Sequence, residues 1–431
     1  MIPKIETASI EEIKSFQEQK LLEALAYAND NSPFYKKRFS NHSIDITTIK
    51  TIEDLQQLPV TTKEDLQQFN DEFLCVPITK IIDFATTSGT LGEPVTFGLT
   101  NNDLDRLAYN EAISFDCAGI KEGDLVQLMT TIDRRFMAGL AYFLGLRKMN
   151  VGVIRVGAGI PELQWDSILK YKPNYVITVP SFLLKLIEYA ESHNIDYNNS
   201  SIKGAICIGE SLRNQEFENN ALATKITEKW DIKLFSTYAS TEMSTAFTEC
   251  EHAVGGHHHP ELIIVEVLDE QNIPVKEGEL GELTFTTLGI EAMPLVRFKT
   301  GDIVQLHTKP CACGRKTLRV GPVIGRKQQM IKYKGTTLYP PALNDVLNGF
   351  SNIESHIIEI STNELGTDEI VIKLAVKLQS EEFLQEVKDH FRAKLRVSPK
   401  IEFTTKEILK DLIFQPLSRK PIHFFDLRTS M

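Results

Sequence analysis

A run of small hydroxyl residues and glycines lies between two short apolar segments near residue 90. It reads Thr86-Thr87-Ser88-Gly89-Thr90-Leu91-Gly92-Glu93-Pro94, and residues 81–85 and 95–97 on either side are typical of strands. Glycine lets the backbone turn sharply and bring N–H groups close to an anion, while Ser and Thr add rotatable donors. We therefore expect a phosphate-binding loop in a hairpin. A plain surface turn is the alternative, because this is not a Gly-Lys-Ser/Thr loop between a strand and a helix.

Three of the six cysteines lie in polar surroundings that are rich in His and Gly. Cys250 precedes the His-rich residues 252–259, and Cys311 and Cys313 lie in Pro-Cys-Ala-Cys-Gly-Arg. Thiolates one residue apart, with a distant Cys and His, can complete a tetrahedral Zn²⁺ shell. We expect such a site within residues 250–313. The alternative is a His-rich surface loop with two reduced thiols.

Two apolar segments end in residues that suit ligand binding. Residues 204–208 run into Gly209-Glu210-Ser211, where glycine at a strand exit allows a flat ligand to approach. Residues 233–236 run into Thr237-Tyr238-Ala239-Ser240-Thr241-Glu242. For this second segment a bland alternative stands, in which Thr241-Glu242 caps a helix.

The elements around these motifs alternate between strands and helices. From residue 103 to residue 236 the alternation predicts parallel sheets with crossover helices, which bind ligands beyond the carboxyl ends of the strands. Residues 263–268, 281–287 and 301–304 alternate at period two and predict a small β-unit. From residue 355 the order strand, strand, helix, strand predicts a compact α+β unit. The fold class is therefore α/β with a second, smaller domain.

Length and charge set limits on the class of protein. A chain of 431 residues exceeds one ordinary core, so we expect more than one domain. The formal charge of -11 argues against nucleic-acid and anionic-membrane partners. No apolar run approaches the roughly 20 residues of a membrane span, and the start lacks the apolar region of a signal peptide. We expect a cytoplasmic protein.

The ordered motifs resemble those of adenylate-forming enzymes, in particular the phenylacetate–CoA ligases. The run at 87–94 is similar to Ser-Ser-Gly-Thr-Thr-Gly-Lys-Pro, 238–242 to Tyr-Gly-x-Ser/Thr-Glu, and 297–302 to Arg-Tyr-x-Thr-Gly-Asp. Residues 325–330 resemble Gly-Arg-x-Asp-Asp-Met, and 418–428 resemble Ser-Gly-Lys-x-x-Arg-Val-x-Asp-Leu-Arg. The resemblance spans nearly the whole chain. It implies a large adenylation domain at 1–325 and a mobile lid at 326–431.

The resemblance also implies roles for individual residues. Those holding the ATP phosphates would be Thr87, Ser88, Gly89, Thr90 and Gly92. Those lining the adenine and continuing its motif would be Gly209, Glu210, Ser211, Tyr238, Ala239 and Ser240. The remaining roles fall on Thr241 at the α-phosphate, Glu242 at Mg²⁺, Asp302 at the ribose hydroxyls, Arg326 near ribose and phosphate, and Lys420 between carboxylate and phosphate. An aromatic face suits a base, a hydroxyl a phosphoryl oxygen, and a carboxylate a hard cation.

For the metal site, the resemblance selects one histidine among several. Register against residues 265–269 makes His257 the ligand that joins Cys250, Cys311 and Cys313, with His259 or His252 as substitutes. Three thiolates leave no obvious open position, so the zinc would be structural.

By this resemblance, a carboxylate attacks the α-phosphate of MgATP, and the CoA thiol then displaces AMP from the acyl-AMP. The implied cofactors are ATP, Mg²⁺, CoA and zinc, and the implied substrate is an aryl or arylacetic acid. A carrier-protein thiol as acceptor and a homodimer both stay open.

Four positions depart from the family pattern and leave open a non-catalytic nucleotide-binding homologue; they are Glu93, Gln328, Arg419 and Pro421. Arg134-Arg135 lies where the family has part of its acyl pocket. It is either a solvated basic pair or the receptor for an acidic group on the substrate.

Overall fold

The computed structural model describes residues 2–87, 95–333, 335–363, 367–414 and 421–428. The chain divides into two compact units, which are Met1–Glu218 with Lys225–Pro322, and Asn219–Thr224 with Val323–Met431. The division lies close to the joint at 325/326 expected from the sequence. Movement of the second unit stays a prediction.

The helices carry apolar residues at helical spacing, and several begin at Ser or Thr caps. They are α1 (Lys4–Thr7), α2 (Ile10–Asn31), α3 (Pro33–Asn41), α4 (Lys63–Gln68), α5 (Asn101–Cys117), α6 (Met137–Lys148), α7 (Pro161–Tyr171), α8 (Pro180–Ser192), α9 (Ala221–Thr227), α10 (Pro340–Asn348), α11 (Glu381–Leu395) and α12 (Lys406–Ile413).

The strands are mostly short and rich in β-branched and aromatic residues. They are β1 (Asp83–Thr86), β2 (Thr96–Leu99), β3 (Leu125–Leu128), β4 (Gly152–Arg155), β5 (Tyr175–Thr178), β6 (Gly204–Ile208), β7 (Lys233–Ser240), β8 (Thr245–Thr248), β9 (Gly256–His257), β10 (Ile263–Leu268), β11 (Gly281–Thr287), β12 (Phe298–Val304), β13 (Leu306–His307), β14 (Arg319–Val320), β15 (Gly325–Arg326), β16 (Ile331–Tyr333), β17 (Thr336–Leu338), β18 (Ile353–Thr362), β19 (Asp368–Val376), β20 (Lys400–Phe403) and β21 (Phe424–Asp426).

The first unit is built on a nine-stranded sheet with the order β13-β14-β9-β8-β7-β6-β5-β3-β4. The strands from β3 to β7 pair in parallel, and the crossover connections run through helices such as α6, α7 and α8. The expected α/β fold is confirmed. Beyond β7 the sheet continues in antiparallel pairs, which the sequence did not predict.

The first unit also contains two antiparallel elements that the sequence predicted. Strands β1 and β2 form a hairpin around the run at 88–94, which lies outside the described residues. Strands β10, β11 and β12 form the small β-unit, with a register shift in β11 between Glu282 and Thr284.

The second unit has a sheet with the order β20-β19-β18-β21, against which α10, α11 and α12 pack. Its core is apolar and includes fully buried residues such as Ile358, Ile372 and Phe391. No helix in the described part of the chain is long and apolar enough to cross a membrane.

Candidate nucleotide site and metal centre

Tyr238 and Asp302 come together although they are far apart in the sequence. The hydroxyl of Tyr238, on β7, donates to Oδ2 of Asp302, on β12, at 2.7 Å. Asp302 is buried, and its backbone N–H donates to Thr300 Oγ1 at 3.0 Å. Gly301 between them has φ of +79°, which a residue with a side chain rarely adopts. The result is an aromatic ring fixed beside a carboxylate that can accept from hydroxyl groups.

The segment after Tyr238 forms a tight turn into β8, so the helix-cap interpretation of Thr241-Glu242 is wrong. Strand β7 continues to Ser240, and β8 then runs back beside it in antiparallel pairing. The carbonyl of Thr241 accepts from the N–H of Ser244 at 3.3 Å and from its hydroxyl at 3.2 Å. The side chains of Thr241 and Glu242 are half-buried, and Ala239 is exposed. They therefore stand in a fixed turn at the surface.

Gly209, Glu210 and Ser211 follow β6 at the neighbouring position. Ile208 is in register with Thr237 of β7, and Gly209 has φ of +76°. The carboxylate of Glu210 accepts from the N–H and the hydroxyl of Ser181, both at 2.8 Å, and so caps the start of α8. Since that carboxylate is engaged, the segment presents mainly backbone to a ligand.

Of the remaining residues predicted to bind the nucleotide, the structure describes two. Thr87 is buried between β1 and β2, where its N–H donates to the Val95 carbonyl and its hydroxyl accepts from the Val95 N–H, each at 3.0 Å. Arg326 is half-buried in β15 of the second unit. Ser88, Gly89, Thr90, Gly92 and Lys420 are outside the described residues.

Arg134 and Arg135 precede α6 rather than beginning it. Both side chains are exposed, and both residues have left-handed backbone, with φ of 60° and 56°. The carbonyl of Arg135 accepts from the N–H of Thr86 at 2.9 Å, which fixes this segment beside the β1–β2 hairpin.

Cys250, His257, Cys311 and Cys313 form one cluster. One potential ligand atom from each lies within 4.8 Å of all the others, and three of the four side chains are buried. Cys250 Sγ lies 3.6 Å from Cys311 Sγ, and Cys313 Sγ lies 3.5 Å from His257 Nε2. Tetrahedral zinc with Zn–S bonds of about 2.3 Å holds its sulfur ligands about 3.8 Å apart. The donor set and spacing therefore fit a zinc ion.

The protonation state of the same histidine also fits a metal ligand. His257 Nδ1 is buried and has no hydrogen-bond partner in the described part of the chain. Burial, followed by the positive charge of Arg315, lowers the pKa of His257 to about 3. The ring is therefore neutral near pH 7, as a metal ligand must be.

The other histidines considered as ligands have other surroundings. His259 Nδ1 lies 2.6 Å from Glu6 Oε1, and its Nε2 lies 3.2 Å from Ser114 Oγ. His252 is exposed. Of His252, His257 and His259, all within the described part of the chain, only His257 belongs to the cluster with the three cysteines.

A buried charge network surrounds the cluster on one side. Arg315 donates from Nε to Glu6 Oε2 at 2.7 Å and from Nη1 to Cys313 Sγ at 3.5 Å. Burial alone would raise the pKa of Cys313, but hydrogen bonds from the backbone and side chain of Arg315 lower it below its usual value. Arg315 thus stabilises a thiolate at a position where a metal needs one.

Two parts of these sites carried no usable sequence signal. Glu6 lies in the first helix and reaches Arg315 across more than three hundred residues. Arg213 forms a buried ion pair at 3.2 Å with Glu249, directly before Cys250. For Arg315 a signal exists, because it follows the Cys-x-Cys-Gly knuckle directly.

Comparison with known proteins identifies the family of this chain. The model of a family described as AMP-binding enzyme matches residues 42–291, more than half of the chain. The phenylacetate–coenzyme A ligase of Thermus thermophilus is 29% identical over 390 residues, covering 89% of this chain and 85% of that protein. The phenylacetate–coenzyme A ligase of Escherichia coli is 28% identical over 387 residues, covering 87% and 85%.

A solved structure of the same fold covers nearly all of the chain. It is a 2-hydroxyisobutyryl-CoA ligase in complex with an acyl-AMP, with a TM-score of 0.86 and 24% identity over 98% of this chain and 91% of that one. The fold, the match to the family model and the similarity to these relatives agree. The chain belongs to the AMP-binding enzyme family.

Proposed function

We propose that this enzyme is an ATP-dependent carboxylate–CoA ligase that acts on an aryl or arylacetic acid. The observation that carries the proposal is the contact between Tyr238 and Asp302 beside the end of β6, within a family that binds AMP. The relatives named phenylacetate–coenzyme A ligase support the ligase activity and the acid class.

In the proposed complex the adenosine lies between backbone and side chains of the first unit. Adenine packs against Tyr238 and the backbone of Gly209–Ser211, since the carboxylate of Glu210 is already engaged by α8. Asp302 accepts from the two ribose hydroxyls, and Thr241 donates to the α-phosphate. The phosphates lie at Thr87, Ser88, Gly89, Thr90 and Gly92, and Arg326 approaches the ribose and α-phosphate.

The chemical difficulty of the first step is charge. A carboxylate oxygen attacks the α-phosphorus and pyrophosphate leaves, so an anion must approach a polyanion. Donors of the loop at 87–92 and the Lys420 ammonium would neutralise this charge as it develops. Glu242, a half-buried carboxylate, is the residue that would hold Mg²⁺, which supplies further neutralisation of the phosphates when bound.

In the second step the CoA sulfur attacks the acyl carbonyl carbon, the bond from that carbon to the phosphate oxygen breaks, AMP leaves, and the thiol proton passes to solvent. We assign the adenylation site mainly to residues 1–325 and the lid that carries Lys420 to residues 326–431, and we propose that the lid rotates between steps. Gln328, where the family has a hinge aspartate, retains a flexible polar side chain there.

We propose that the cluster of three cysteines and His257 holds a structural zinc ion. All six cysteines are free, including two with Sγ atoms 3.6 Å apart. Thiolate ligands of this kind persist in a reducing compartment, so we also propose a cytoplasmic location.

The test is ATP–pyrophosphate exchange across a panel of carboxylic acids, followed by thioester formation with CoA. We expect exchange with arylacetic or aryl acids and its loss in Lys420→Ala. Lys410→Ala, on the exposed part of α12, is the matched control and should retain full exchange.

Each alternative gives a different result. The absence of exchange with every acid, together with retained ATP binding, would favour a non-catalytic homologue. Exchange followed by transfer only to a carrier-protein thiol would replace CoA as the acceptor.

A further inference from the structure

Helix α5 carries a buried polar stripe that faces β8 and the connections around it. Arg106, Asn110 and Ser114 are spaced four residues apart and lie on one face of the helix. Asn110 Oδ1 accepts from the Ala246 N–H of β8 at 3.1 Å, and the Ser114 hydroxyl lies 3.2 Å from His259. The stripe thus holds the outgoing strand of the hairpin in which Thr241 and Glu242 lie.

Arg106 directs its guanidinium to the end of that turn. Nη1 donates to the Ser244 carbonyl at 2.8 Å, Nη2 to Thr245 Oγ1 at 3.3 Å, and Nε to the Leu288 carbonyl at 2.7 Å. Nη2 also donates to the carbonyl of Leu262. The side chain is buried, and its guanidinium is a planar, rigid group. Through these bonds it connects the segments at residues 244–245, 262 and 288.

The turn needs such support because its last residue is strained. Ser244 has φ of 45°, a left-handed conformation that costs a residue with a side chain of order 1 kcal/mol or more. The hydroxyl and N–H of Ser244 bond back to the Thr241 carbonyl, which closes the turn from within. The Ser244 carbonyl is the point at which Arg106 holds the turn from outside.

We propose that Arg106 is a positioning residue for the turn that carries Thr241 and Glu242, acting by holding the carbonyl groups of Ser244 and Leu262. Its effect on ATP and Mg²⁺ rests on the proposed function, whereas its effect on the turn does not. Burial lowers the pKa of Arg106 to about 10, so the guanidinium stays charged at neutral pH. This charge strengthens its hydrogen bonds to the carbonyl groups.

The test compares Arg106→Lys with Arg297→Lys. Arg297 is also buried and also donates to a backbone carbonyl, at Leu58, and it forms an ion pair with Glu266. Its substitution therefore costs at least as much general stability as the loss of a buried fork. Lysine keeps the charge but reaches fewer of the carbonyl groups. The first measurement is amide hydrogen exchange of peptides that cover residues 238–248, without ligand.

We expect faster exchange in those peptides in Arg106→Lys and unchanged exchange there in Arg297→Lys, at a temperature where both are folded. Equal exchange in the two variants would overturn the proposal. This readout stands even if the wild-type enzyme activates no acid, so its failure is separate from failure of the proposed function.

The second measurement is the Mg²⁺ concentration for half-maximal pyrophosphate exchange. Misplacement of Glu242 should raise it about tenfold in Arg106→Lys, the effect of losing one hydrogen bond to a charged group. In a double-mutant cycle with Glu242→Gln the two effects should not add, since one acts through the other. Additive effects with an unchanged Mg²⁺ midpoint would mean that Arg106 only stabilises the fold.

Discussion

The metal cluster and the turn at residues 238–244, here called the nucleotide turn, both adjoin strands β7–β9 of the nine-stranded sheet but are held in opposite ways. Three of the four side chains of the cluster are buried. Buried charged groups hold the neighbouring segments, namely Arg315 and the ion pair of Arg213 with Glu249. The nucleotide turn is half-exposed, and Tyr238, Thr241 and Glu242 present polar atoms near the surface. A small ion would complete the first region, whereas the half-buried side chains of the second are partly accessible to a ligand.

Strand β8 connects the two regions, because it pairs with β7 on one side and with β9 on the other. Cys250 follows β8 closely, and His257 lies on β9. Damage to the metal cluster should therefore reach the nucleotide turn. Changes to the half-buried side chains of Tyr238, Thr241 and Glu242 should leave the cluster intact, since none of the three belongs to its ligand set.

The largest expected effect is that of removing the proposed zinc ion. Cys311→Ser should abolish zinc binding and lower the melting temperature strongly, because structural zinc can contribute about 10 kcal/mol or more to folding. Elemental mass spectrometry measures the zinc content, and calorimetry measures the melting temperature. Cys75→Ser, outside the cluster, is the control and should keep its zinc. A Cys311→Ser protein with normal metal content would refute the site.

The next effect is that of the buried charge beside the cluster. Glu6→Gln removes the partner of Arg315 and His259 and should cost about 3–5 kcal/mol, the range for breaking a buried ion pair. Glu11→Gln, exposed on the next helix, should change the free energy of unfolding little. Urea unfolding of both variants measures the difference.

The pH dependence of this effect has a definite sign. Burial raises the pKa of Glu6, but His259 and Arg315 together lower it by more, so that it falls below its reference value of 4.5. A carboxylate with a lowered folded pKa stabilises above the unfolded pKa and loses this as pH falls. The advantage of the wild type over Glu6→Gln should thus be full above about pH 4.5 and shrink below it. An advantage that grows in acid would contradict this.

The contrast between the two regions also explains what the sequence could predict. Short motifs such as Cys-x-Cys-Gly-Arg and Thr-Gly-Asp indicate metal or ligand binding by their residue types and spacing. The alternation of strands and helices predicted the parallel part of the large sheet. Glu6 and Arg106 act through distant backbone and side chains, so nothing near them in the sequence indicates a partner. The turn after Tyr238 was missed because the antiparallel return of β8 depends on pairing rather than on local preference.

A smaller effect, confined to ligand binding, is expected from Asp302, the residue proposed to bind the ribose. Asp302→Asn removes a charge but leaves an oxygen that accepts from Tyr238, and it should raise the KM for ATP about 10- to 100-fold. Zinc content and melting temperature should stay as in the wild type. Asp231→Asn, exposed before β7, is the control for loss of a negative charge. An unchanged KM in Asp302→Asn would remove Asp302 from the site.

The smallest effect separates a proposed ligand-binding residue from a structural one, because it uses the same substitution twice. Tyr238→Phe keeps the aromatic face but loses the bond that orients Asp302, so the KM for ATP should rise only about fivefold, with melting unchanged. Tyr35 is fully buried, and its hydroxyl accepts from the Val296 N–H at 2.7 Å. Tyr35→Phe should lower the melting temperature and leave the KM alone, because it orphans a buried donor. If both variants lost stability and neither changed KM, Tyr238 would belong with the structural residues, and the nucleotide face would need another aromatic group.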